Sequence, residues 1–182
     1  MIHKEINLPR IFHELHGQKT RLSTLILVYL AGVAVAGLVI SQILPEKLPI
    51  WKICLVGILY VDMGGGVVAN LSTSTNQFYQ AKPCLRIGFL LLHFLHPGLF
   101  ILAFPIAWSY FIVTGGLTLL SALLVNAFKD AEFQQNLAAT LTLVGIAVSF
   151  FFEVPMNILY SFAPLFMIKL ILGFSVRRPP LT

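Results

Sequence analysis

The chain has 182 residues, of which 58% are hydrophobic and only 10% charged, with a formal net charge of +5. Soluble domains carry roughly a quarter charged residues, so this composition excludes an ordinary soluble enzyme and points to a polytopic membrane protein. The basic residues are scattered at the ends of apolar runs rather than gathered on one polar face, a pattern that argues for the lipid bilayer as the partner and against nucleic acid.

Residues 1–21 read as a cytoplasmic interfacial segment. Leu8, Ile11, Phe12 and Leu15 follow the spacing of a helix with one apolar face. Pro9 suits its first turn and Gly17 its stop. With Arg10, Lys19 and Arg21 nearby, a short amphipathic helix lying along the membrane surface is expected. His13-Glu14-Leu15-His16 is not the zinc-protease pattern, whose histidines stand four apart, and both rings are expected to be solvated.

Crossing a hydrocarbon layer of about 30 Å takes ~20 apolar residues. Six runs satisfy this: 22–44, 50–72, 86–105, 107–127, 134–152 and 154–176. The predicted fold is therefore all-α, a six-helix transmembrane domain over 22–176 followed by a cytoplasmic tail, 177–182. The first run is longer than a typical signal-peptide core and is expected to be a retained helix. Gly32, Ala36 and Gly37 in it allow close helix approach. The second carries Asp62, the run Gly64-Gly65-Gly66, and then Asn70 and the polar tract Ser72 to Asn76. The third and fourth divide near Pro105, and Lys129 to Asn136 forms a loop before the fifth. Glu153-Val154-Pro155 turns the chain into the sixth, which contains Asn157, Tyr160, Pro164 and Lys169. Pro97 and Pro164 stand at comparable places in the third and sixth runs, a weak echo of an inverted repeat.

Placing the N-terminus in the cytoplasm puts Lys4, Arg10, Lys19, Arg21, Lys82, Arg86, Lys129, Arg177 and Arg178 inside and only Lys47 and Lys52 outside. The excess of basic residues on one side favours both termini in the cytoplasm of a plasma membrane. Cys54 and Cys84 fall too far apart to bridge. Asn70-Leu71-Ser72 matches a glycosylation acceptor but lies on the cytoplasmic side of its span.

Ionisable side chains at membrane depth are expensive and mark function. Asp62, Gly66, Asn70 and Thr73 share one helical face by their spacing, and His93 and His96 share another. Pro97 cannot donate to the His93 carbonyl, which is expected to be free. Counting about 1.5 Å per residue from the cytoplasmic helix ends brings Asp62, His96 and Lys169 to one level. Asp62, His93 and His96 are the candidate catalytic groups and candidate ligands of a divalent metal ion, with Asn70, Thr73 and Lys169 as binding residues. Three readings of this buried polar layer stand. One is a metal-dependent or acid/base enzyme acting on a lipid-like substrate. Another is a proton-coupled or small-solute transporter, for which six helices favour a homodimer. The third is a structural Asp62–Lys169 ion pair with the histidines hydrogen-bonded to neighbouring helices.

Overall fold

The computed structural model describes residues 5–178. Lys4, part of the charge pattern read above, and residues 179–182 of the expected tail lie outside the described residues. The chain begins with a two-stranded antiparallel hairpin, β1 (Glu5–Asn7) paired with β2 (Lys19–Arg21), whose connection holds a 3-10 turn, Arg10–Phe12, and a one-turn helix, α1 (His13–His16). The expected amphipathic helix is thus reduced to this short piece. Gly17 ends it with a positive φ of 76° and an extended ψ of 179°, a backbone conformation open chiefly to glycine, which returns the chain before a second turn can form.

The remainder is helical. α2 (Leu22–Ile43) and α3 (Ile50–Leu71) form an antiparallel pair. α4 (Thr73–Gln80) follows after Ser72, whose side chain accepts from the Thr75 N–H as an N-cap. α5 (Pro83–Leu92) and α6 (Leu95–Ala103) are two halves of one bent rod, succeeded by α7 (Trp108–Ala127) and α8 (Ala131–Ser149). The last rod is composite: a 3-10 turn at Asn157–Ser161, α9 (Phe162–Met167) and a π-helical segment, Ile168–Ser175. Five of these rods, Leu22–Glu46, Ile50–Leu71, Pro83–Ala103, Pro105–Ala127 and Asn157–Ser175, are long and apolar enough to cross a membrane. Helix α8, expected as a further crossing, spends its first two turns on Glu132, Gln134, Gln135 and Asn136, so its apolar run starts only at Leu137. Its buried stripe, Ala138, Thr142, Gly145 and Ser149, still packs inward.

Lipid gives helices little hydrophobic reason to associate, so close packing must hold them. The glycines show where. A Cβ on Gly32 would stand 2.8 Å from the Val61 carbonyl oxygen, and one on Gly64 would stand 2.9 Å from that of Ala31. These residues let the α2 and α3 backbones touch. Gly115 of α7 is likewise the seat of the Pro97 ring.

The C-terminal rod ends among polar side chains that satisfy its terminal carbonyls. Asn76 donates to the Val176 carbonyl at 2.8 Å, while its Oδ1 accepts the Arg178 N–H at 3.0 Å. Arg86 donates to the carbonyls of Phe174 and Ser175, and Gln134 accepts the Arg177 N–H. Removing the buried Asn76 side chain by Asn76→Ala takes its partner from the Val176 carbonyl and from the Arg178 N–H and is expected to cost about 1–3 kcal/mol. Thermal unfolding in detergent measures the loss.

The hairpin docks through its backbone: Ser74 Oγ donates to the His16 and Lys19 carbonyls, Thr75 Oγ1 to Leu15, and Tyr79 OH to Glu14. His16 is buried, with Nε2 3.1 Å from Tyr29 OH, which corrects the expectation of a solvated ring. Burial pushes its imidazole below the ordinary histidine value. Above a pH of about 6.5 the ring is neutral whether docked or free, and as pH falls further the undocked form takes up the proton first. Docking is therefore expected to weaken on acidification. Hydrogen exchange of residues 13–21, corrected for intrinsic rate, should rise between pH 7.5 and 5, and His16→Phe should flatten that rise.

Candidate functional site

Asp62 lies midway along α3, and its Oδ2 is the centre of the site. His96 Nε2 stands 2.6 Å from that oxygen, and the Lys169 ammonium donates to the same atom. Lys169 is 1% exposed, whereas the Asp62 side chain keeps 41% of its surface and His96 14%. The carboxylate is thus bonded through Oδ2 while the side chain as a whole stays partly exposed. Oδ1 has no hydrogen-bond partner among the described residues.

Local structure explains how these groups meet. Pro97 has no N–H for the His93 carbonyl and its ring crowds that oxygen, so the rod breaks one turn upstream, at His93 and Phe94. The His93 carbonyl is not free, as expected from the sequence; it accepts the His96 N–H at 3.1 Å, an i to i+3 bond made possible by the break. The same tightening stacks the two imidazoles, with ring centroids 5.0 Å apart and planes within 4°. His93 Nδ1 lies 2.7 Å from the Phe89 carbonyl, to which it donates. Its Nε2 is left as an acceptor with no partner among the described residues. His96 Nδ1 is buried without a partner. Phe166 lies beneath both rings and closes the site on the core side.

Lys169 arrives from the opposite direction. The π-helical segment turns it towards α3, and Asn70 Nδ2 donates to the Lys169 backbone carbonyl at 3.1 Å. The aliphatic stem crosses α3 over Gly66, where a Cβ would overlap Lys169 Cδ and Cε. Gly66 is one turn from Asp62 on the same face, so the lysine lies along the helix and its ammonium ends on the carboxylate. The three adjacent glycines therefore divide their roles: Gly64 and Gly65 face α2, and Gly66 faces Lys169.

Asp62 borders two cavities. One, about 310 Å³, is lined by Leu15, Leu92, His93, Leu95, His96 and Leu99 among others. The second, about 300 Å³, runs between α2 and α3 past Val28, Val33, Ile58 and Gly66. Leu15 of α1 borders both. Two further grooves beside the hairpin are polar surface features lined by Lys19, Ser74 and Gln77, and Asp62 is not among their lining residues.

Of the residues singled out in the sequence, Asp62, His93, His96 and Lys169 come together, and Asn70 supports Lys169 through its backbone. Thr73 does not join them: α3 ends at Leu71, and Thr73 opens α4 beside Arg21 and Thr24. Leu15, Phe89 and Gly66 complete the surroundings. A helical wheel places Gly66 on the Asp62 face, but no spacing in the sequence announces Leu15 or the Phe89 carbonyl. Asp62, His93 and His96 each offer one donor atom within 4.8 Å of the others, close enough to hold a metal ion.

No protein-family model, curated protein or solved structure matches this chain. The chemistry of the cluster carries the functional reading. Asp62→Ala strands a buried ammonium and is expected to cost about 3–5 kcal/mol, whereas the double variant Asp62→Ala/Lys169→Met removes both charges and should recover much of the loss. Thermal unfolding of the single and double variants in detergent checks this, with additive losses counting against the pair.

Proposed function

We propose that the protein is a membrane-embedded enzyme whose Asp62 and His93 perform acid/base chemistry on a lipid-like substrate, with His96 and Lys169 holding the Asp62 carboxylate in place. The observation that carries the reading is the division of labour on one carboxylate: Oδ2 is bound by His96 and Lys169, while Oδ1 has no hydrogen-bond partner among the described residues and the Asp62 side chain borders a cavity. A carboxylate that were only half of an ion pair has no need of an unpartnered oxygen beside a second unpartnered acceptor. In this reading Oδ1 or His93 Nε2 takes a proton from a hydroxyl or water and returns it to the leaving group. Lys169 and His96 hold Oδ2 and so fix the orientation of the carboxyl group while the proton is taken and returned. Asn70 acts as a positioning residue, through the Lys169 backbone.

The excess of basic residues on one side supports the orientation of the chain. Helix α8 is the fifth of six crossings, its polar first turns resting at the cytoplasmic side near Arg177, and both termini face the cytoplasm of the plasma membrane. The hairpin of residues 5–21 lies at that face.

The second reading is a metal-dependent form of the same enzyme. Two imidazoles and a carboxylate suit zinc or ferrous iron, and the Phe89 carbonyl orients His93 as a second-shell partner would. The Lys169 ammonium already occupies Oδ2, so an ion would take Oδ1. This is why metal-free acid/base chemistry is the leading proposal.

The test is hydrolysis of a panel of fluorescent lipid esters and amides by the purified protein in proteoliposomes, with and without added zinc or iron. Asp62→Asn is expected to lower kcat by about 10²–10⁴-fold, and His96→Gln to act in the same direction, with both variants still folded. Turnover that survives both substitutions overturns the assignment. Stoichiometric metal that disappears in His93→Ala favours the second reading over the first.

A further inference from the structure

The atoms left free at the site specify what it can bind. Asp62 Oδ1 and His93 Nε2 are both acceptors, and both residues line the first cavity. The nearest cation, Lys169, is buried and committed to Oδ2. An anionic headgroup would therefore meet a carboxylate and a ring lone pair with no available donor. A cationic group gains little at the buried cluster, because Lys169 already neutralises Asp62, and the charge of Glu14, exposed on α1, is screened by solvent. The chemistry that fits is a neutral group that donates a hydrogen bond.

The walls define the rest of the ligand. Leu92, Leu95 and Leu99 line the first cavity, and Leu92 and Leu95 are exposed on the outer face of the rod. Val33, Ile58 and Val61 line the second and are likewise exposed outward. Each arm opens sideways to the acyl chains, and each has the volume of a small ligand pocket, whose usual range starts near 300 Å³. Asp62 borders both arms, with Leu15 bordering them as well.

We propose that this divided pocket binds a neutral membrane lipid bearing a free hydroxyl, with the O–H donated to Asp62 Oδ1 and the hydrocarbon lying in the two apolar arms. The inference names the substrate class of the site described above and rests on that reading. A hydroxyl placed there is also the group from which the open carboxylate oxygen or His93 Nε2 would take a proton.

Photolabelling tests the idea without requiring turnover. The full-length protein in nanodiscs is exposed to probes of equal chain length that carry a diazirine in the hydrocarbon and end in a monoacylglycerol diol, a carboxylate, a phosphate or an ammonium group. The diol probe is expected to label peptides containing Val33, Ile58 or Leu99 at least about fivefold more than the others, the selectivity that one net hydrogen bond of about 1 kcal/mol supplies. Leu99→Trp and Val33→Trp fill one arm each, do not touch the charged cluster, and should each reduce labelling in a protein whose thermal unfolding shows it is folded. Equal or stronger labelling by a charged probe, labelling outside these peptides, or indifference to both tryptophans overturns the proposal. Selective binding of the diol without any turnover would retain the ligand and remove the enzyme; turnover combined with preference for a charged probe would do the reverse.

Discussion

A single carboxylate oxygen, Asp62 Oδ2, receives a proton donor from each of two different rods, and much of the molecule is arranged to allow this. A charge at membrane depth is costly unless it is paired and hydrogen-bonded. Lys169 supplies the opposite charge and His96 a further hydrogen bond. Bringing a lysine from the last rod to the middle of α3 demands that its stem lie flat on a neighbouring backbone, which is possible only where Gly66 leaves no Cβ. It also demands that the last rod present residue 169 at the right angle. The π-helical turn there, a deviation often found where a side chain must be aimed, is held by the Asn70 hydrogen bond to the Lys169 carbonyl.

The histidines depend on a different local device. Pro97 breaks the third rod one turn before itself, and that break both stacks the imidazoles and closes the His93 carbonyl onto the His96 N–H. The Pro97 ring is seated on Gly115 of α7, so the bend is fixed by packing rather than left as a hinge. Aromatic side chains fill the space behind it: Phe166 lies against both imidazoles, and Phe100, Phe111 and Phe162 continue that layer. The polar cluster therefore has a packed aromatic floor on one side and borders two cavities on the other.

The two chain ends close the structure at the same side. Asn76, Arg86 and Gln134 bind backbone groups of the C-terminal rod, while Ser74, Thr75 and Tyr79 bind backbone groups of the N-terminal hairpin. The polar tract after α3 and the short helix α4 thus tie together segments far apart in sequence. Because these bonds go largely to carbonyl oxygens, they position the chain whatever side chains it carries, and they hold Leu15 against both cavities beside Asp62.

Composition and hydropathic run length by themselves determined that the protein is helical and membrane-bound, because a bilayer imposes a fixed length and forbids unpaired backbone groups. They also singled out Asp62, His93, His96 and Lys169, since ionisable residues are rare enough in apolar runs to stand out, and counting turns put Asp62, His96 and Lys169 at one depth. Rotation and contact were beyond that reading. The His93 carbonyl was expected to be free because the sequence shows that Pro97 cannot donate to it but not that the rod breaks there and lets the His96 N–H close onto it. Thr73 was assigned to the Asp62 face because nothing in the spacing shows that the helix stops at Leu71. His16 was expected in solvent because an amphipathic pattern carries no information about a backbone that folds over and docks on a distant helix. Only the tertiary structure decided that one oxygen of Asp62 is occupied and the other free, since that depends on three rods meeting around a glycine, and such a meeting is a property of packing and not of any single run of residues.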